Sequence, residues 1–107
     1  MKKKITTACP GLSIELLEGV AAMLRLLAHP YRLKVVEFLE DRKDGAPVHE
    51  IREYLQLPHA ATSQHLNQMK RVGLVRSVRH GKEVWYAIAD DRALTVLGCI
   101  RKQQEKK

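Results

Sequence analysis

Apolar residues between positions 14 and 28 recur as Leu16, Leu17, Val20, Met23, Leu24 and Leu27, which is helical spacing. They cover more than the single stripe a surface helix needs, with Met23 and Leu26 towards its flanks. The pattern predicts a helix from about 14 to 28 that meets both its own core and a partner, capped by Ser13 with Glu15 in the first turn. His29-Pro30 marks a break, because proline is tolerated at the first helical position and not deeper. A second helix is predicted to about 41, with Leu33, Val36 and Leu39 inward and Phe38 alongside. Arg42 to Ala46 reads as a loop. Pro47 then opens a short helix carrying Val48, Ile51 and Leu55, and Leu57-Pro58 makes another turn. A fourth helix is predicted from about 59 to 72, stopped by Gly73.

Beyond Gly73 the period changes. Leu74–Arg79 and Glu83–Ile88 are short runs rich in Val, Trp, Tyr and Ile, flanking His80-Gly81-Lys82, and they predict a hairpin. Asp90-Asp91 caps a last helix through about 103. The fold class is therefore mainly α with a small β-hairpin, in the order α-α-α-α-β-β-α. Residues 1–12 are expected to form a flexible arm ending in Cys9-Pro10-Gly11, residues 13–103 one domain, and residues 104–107 a charged tail.

With 107 residues, one modest core is expected, and oligomerisation would help to bury the apolar surface left over. The formal net charge of +7 changes the picture of partners, favouring nucleic acid or an anionic membrane surface. No apolar run approaches the ~18 residues that span a bilayer, and Ile5 to Cys9 is too short and polar for a signal-peptide core. A cytoplasmic protein without membrane partners is expected. Its two cysteines, far apart in sequence, do not make a secreted disulfide scaffold.

Two short helices joined by a tight turn and followed by a hairpin are the order of a winged helix-turn-helix. In that module the second helix of the pair enters the DNA major groove. Such a helix needs an apolar inner stripe beneath a thin, hydrogen-bonding outer face. Thr62, Leu66 and Met69 supply the stripe. Ala60, Ser63, Gln64, Asn67 and Arg71 lie outward, with His59 at the leading edge. Gln64 or Asn67 can bond adenine in bidentate fashion, and Ala60 and Ala61 can meet a thymine methyl. The same residue types also populate any solvated helix face. The hairpin concentrates Arg76, Arg79, His80 and Lys82 at one loop, as a wing touching phosphate or the minor groove would. Val75, Val78, Val84, Tyr86 and Ile88 supply packing there. Trp85 is open to core, partner or DNA, core being the commonest fate of a lone tryptophan.

Three strings resemble the ArsR/SmtB family of small winged-helix repressors. They are Leu26-Leu27-Ala28-His29-Pro30-Tyr31-Arg32-Leu33, then Leu57 to Leu66 continuing into Met69-Lys70-Arg71-Val72-Gly73-Leu74-Val75, and the wing Arg79 to Ile88. The resemblance implies a homodimer joined through the first and last helices, which binds a palindromic double-stranded DNA operator and blocks transcription until an effector is sensed. It places His59, Ala60, Ser63 and Gln64 in the groove. Ala60 and Ala61 stand where the family usually has a small polar residue.

The family's metal sensors carry recognisable ligand sets. Residues 47–56 hold His49 and Glu50 but no cysteine for a thiolate site, and no histidine follows Asp90 and Asp91 for a site on the last helix. No metal or cofactor is expected. Of the five histidines, His29 begins a helix, while His59, His65 and His80 are expected by the DNA surface. Cys9 and Cys99 remain as candidate sensors. Cys99 faces away from Ala93, Val96, Leu97 and Ile100, among Arg92, Thr95, Lys102 and Gln103, and nearby cations favour a thiolate. A Cys9–Cys99 pair, within or between subunits, could form a disulfide or polysulfide bridge or hold arsenite. One branch of the family senses oxidants or persulfides with two cysteines, the partner lying in the second helix where this chain has Glu37. Two cysteines without a role, or antagonism by another protein, are the alternatives.

No nucleophile elbow, phosphate-binding glycine loop or metalloprotease pattern occurs, so an enzyme is not expected. The runner-up is a winged-helix module for RNA or protein.

Overall fold

The structure is a computed structural model that describes residues 11–105. Helix α1 spans Ile14–Leu27, and the Ser13 hydroxyl accepts from the Leu16 amide at 3.1 Å, as expected of its N-cap. Helix α2 spans Pro30–Leu39 and is capped by the His29 ring, whose Nδ1 accepts from the Tyr31 amide. It ends two residues before the predicted boundary. Val35 is fully buried beside Val36 and Leu39, whereas Leu33 is only half-buried. The helix is covered by α-helical neighbours on more than one side, so a single inward stripe understates its buried face.

A two-residue strand, β1 (Ala46–Pro47), precedes helix α3 (Val48–Leu55) and was not predicted. It pairs antiparallel with a hairpin strand, Ala46 opposite Tyr86 and Pro47 opposite Trp85. The order is thus α-α-β-α-α-β-β-α. Two residues carry no period of their own; this strand exists because the hairpin offers it a free edge. The turn after α3 is made by Gln56 in the left-handed region (φ 60°), and helix α4 follows at His59–Arg71. Strands β2 (Val75–His80) and β3 (Glu83–Ile88) form the predicted hairpin, turned at Gly81 (φ +64°), in a sheet of order β1-β3-β2.

Helix α5 spans Arg92–Glu105, with the Asp90 carboxylate accepting from the Arg92 amide. It runs two residues into the stretch read as a tail. The Cys9 part of the candidate sensor, the residue-1–10 part of the arm and residues 106–107 lie outside the described residues.

The core lies where α2, α3, α4 and the root of the hairpin converge. Leu39, Ile51, Leu66, Met69 and Leu74 are completely or almost completely buried there. Each such side chain stabilises the fold by roughly 1.5–3 kcal/mol. Helix α1 joins this core through the buried Met23 and Leu27, with Val20 and Leu26 packed against it; Ile14, Leu16, Leu17 and Leu24 stay exposed. Helix α5 is fixed to α2 by Ala93 and Leu97 and by a forked ion pair from Arg101 to Glu40 (2.8 and 2.7 Å). No helix among the described residues is long and apolar enough to cross a membrane.

Candidate nucleic-acid interface

The predicted inner stripe of α4 is in place. Thr62, Leu66 and Met69 each show no solvent exposure, and the Thr62 hydroxyl donates to the Pro58 carbonyl at 3.1 Å, so no polar group is stranded. With that stripe fixed, helical geometry turns the opposite side outward. His59, Ala60, Gln64, Asn67 and Arg71 are exposed and Ser63 is half-buried. The Ser63 hydroxyl lies 3.4 Å from His59 Nε2, within hydrogen-bond reach. Asn67 is not free: its amide oxygen accepts from the buried Tyr86 hydroxyl at 3.4 Å. No carboxylate lies on α4, and Lys70 and Arg71 close its last turn. No side chain caps its first turn, so unpaired backbone N–H groups there favour an anion.

The hairpin tip carries Arg79, His80 and Lys82, all exposed. Arg76 is not among them. It sits at the other end of β2 and donates to the Ile88 carbonyl (3.0 Å), so its charge is held back along the sheet. Trp85 is half-buried, neither in the core nor free, and its ring packs on His80 with centroids 4.6 Å apart. Glu83 reaches back to His49 of α3 (3.3 Å), tying the hairpin to the helix that precedes α4.

His65 departs from expectation. It points to the α2 side of α4, against His29 and Arg32, and not to the outer face. Cys99 is exposed on α5, as its position on the helix predicts. Among the described residues, no group of three or more histidine, cysteine or acidic side chains could hold a metal ion. The contacts of Asn67, His49 and His65 had no signal in sequence, since each joins residues far apart along the chain.

A family described as a helix-turn-helix domain matches residues 27–78, from the end of α1 into β2. The chain is 40% identical over 76 residues to the transcriptional repressor SmtB of Mycobacterium tuberculosis, covering 71% of this chain and 55% of that protein. It is 42% identical over 72 residues to the transcriptional repressor PagR of Bacillus anthracis, covering 67% of this chain and 71% of PagR. This chain belongs to the ArsR/SmtB family of helix-turn-helix regulators. The crystal structure of PagR superposes on it with a TM-score of 0.74 at 32% identity, covering 82% of this chain and 99% of PagR. The ArsR/SmtB family comprises transcriptional regulators and not enzymes. The chain spans about half the length of the SmtB proteins it matches, 55%.

Proposed function

We propose that this ArsR/SmtB member is a sequence-specific transcriptional repressor that binds a palindromic operator as a homodimer. The observation that carries this is the outer face of α4. It is a thin, carboxylate-free surface of Ala60, Ser63, Gln64, Asn67 and Arg71, backed by a fully buried stripe. It matches what a major groove admits and can be read by. His59 leads that helix into the groove, while Arg79, His80 and Lys82 at the hairpin tip meet phosphate. SmtB and PagR, both repressors by name, support the same reading.

The exposed apolar residues of α1 support pairing. Ile14, Leu16, Leu17 and Leu24 leave a surface that a second copy would cover. On α5, Leu97 and the 43%-exposed Ile100 line a groove against Leu33 of α2 that offers apolar contact. Selection of binding sites from random duplex DNA tests the whole reading. One enriched imperfect palindrome supports it; no enrichment favours an RNA or protein module.

The finer reading concerns release. The Cys99 thiol is exposed on the helix assigned to the dimer contact, which gives a thiol-reactive effector (an oxidant, persulfide or arsenite) access to it, with Cys9 as its partner. Cys99→Ser then abolishes release of bound duplex by these reagents. Wild-type protein that stays bound with all three removes this reading and leaves the DNA-binding one standing.

A further inference from the structure

One residue of α2 holds α4 from behind. The half-buried Arg32 donates from Nη1 to the Leu26 carbonyl of α1 (3.2 Å), from Nε to His65 Nδ1 (3.1 Å) and from Nη2 to Gln68 Oε1 (2.8 Å). A single guanidinium therefore joins α1, α2 and α4. Its planar set of donors makes this possible; a lysine ammonium has no such span.

The clamp constrains the protonation of its partner. Arginine offers donors alone, so His65 accepts only while its Nδ1 is bare, with the ring hydrogen on Nε2. His29 at the head of α2 is similarly engaged, its Nδ1 accepting from the Tyr31 amide at 3.2 Å. The two imidazoles meet edge to face at 4.6 Å between centroids, and the Tyr31 ring lies 6.2 Å from His65. From α2, then, His65 is faced by His29, Tyr31 and Arg32; its own helix adds Gln68, and α1 adds only the Leu26 carbonyl on the far side of the guanidinium. No carboxylate is among these partners to stabilise an imidazolium.

We propose that Arg32 is the positioning residue for α4, and that it holds the outer face in place only while His65 is uncharged, so that mild acid loosens the duplex. This deepens the DNA-binding reading and rests on it. Burial first, then the charges of His29 and Arg32, push the His65 imidazole below its ordinary value of 6.5. The stabilisation held by the neutral ring is therefore whole above pH 6.5 and is lost as the pH falls through the lowered value.

The test uses the full chain and a duplex obtained by site selection at pH 7.5, with affinity measured from pH 8 to 5. Relative to His65→Asn, wild-type affinity is expected to fall about tenfold per pH unit below the His65 titration, as the competent fraction falls. In His65→Asn the amide oxygen replaces Nδ1 without titrating, so the variant keeps the affinity seen at pH 8 and lacks the His65-linked fall. Arg32→Lys binds weakly throughout. A wild-type profile that runs parallel to that of His65→Asn across the range overturns the proposal. A second readout needs neither a variant nor DNA. NMR titration of the His65 ring, with amide exchange along α4, is expected to show protection lost in step with a titration below 6.5. Unchanged protection across that titration overturns the proposal too. Failure to select any duplex counts against the DNA-binding reading, while the NMR measurement still decides the Arg32–His65 coupling.

Discussion

The Tyr86 hydroxyl on β3 donates to the amide oxygen of Asn67 on α4, 3.4 Å away, and so joins the hairpin to the outer face of that helix. Bidentate bonding to adenine uses both halves of an asparagine amide. With its oxygen engaged by Tyr86, Asn67 offers its NH2 group, a donor suited to guanine O6 or N7. Tyr86→Phe should cost roughly 0.5–1.5 kcal/mol of stability in a denaturant melt. It should also move the preferred base at one operator step towards adenine in site selection. An identical selected sequence would show that Asn67 does not read bases.

Gln64 and Lys82 should separate base reading from phosphate contact. Gln64→Ala is expected to cost roughly 1–3 kcal/mol on the preferred operator and to relax one base step. Lys82→Ala should weaken all duplexes about equally and lower the slope of log affinity against log salt by about one. Binding isotherms on matched and single-step-altered duplexes check both. A selective loss in Lys82→Ala would place that side chain on a base.

Gly45 lies in the loop between α2 and β1. Its φ is +87°, and a β-carbon there would run into the Tyr86 carbonyl oxygen and lie 3.0 Å from Ala87 Cβ. Gly45→Ala combines left-handed strain with a backbone clash and should destabilise by about 1–3 kcal/mol. Thermal unfolding measures this, and an unchanged midpoint would mean that the loop moves freely off β3.

Acid should also weaken the fold through three carboxyl groups. Hydrogen bonds from Arg101 to Glu40, from Tyr54 to Glu37 and from Arg92 to Asp90 hold these carboxyls below their ordinary values of 4.5, 4.5 and 3.8. Their contribution is present above those values and is lost as the pH falls through the lowered ones. Glu40→Gln should lower stability at neutral pH, where the ion pair contributes, and should converge on wild type as the pH falls through the lowered Glu40 value, so that part of the curve is flattened. Urea midpoints across the pH series check it.

What could be read from the sequence follows from the range of each interaction. Thr62, Leu66 and Met69 announce the inner stripe of α4 because helical period is local, and the exposed α1 leucines were legible for the same reason. Gly81 and the Val-rich runs likewise fix the hairpin. Strand β1, the burial of Val35 and the Arg32 clamp depend on which elements meet, and periodicity does not contain that. Arg76 and His65 were misplaced on similar grounds: charge or polarity says that a side chain seeks a partner, not that the partner is DNA.

On the proposed reading, the outer face of α4 and the hairpin tip touch DNA together. Titration of the isotopically labelled chain with a short duplex at low salt, followed through its amide signals, checks this. The largest shifts are expected at Ala60, Ser63 and Gln64 and from Arg79 to Lys82, with little change around Leu33 and Leu97. Shifts centred on the α2–α5 groove, with α4 silent, would contradict it.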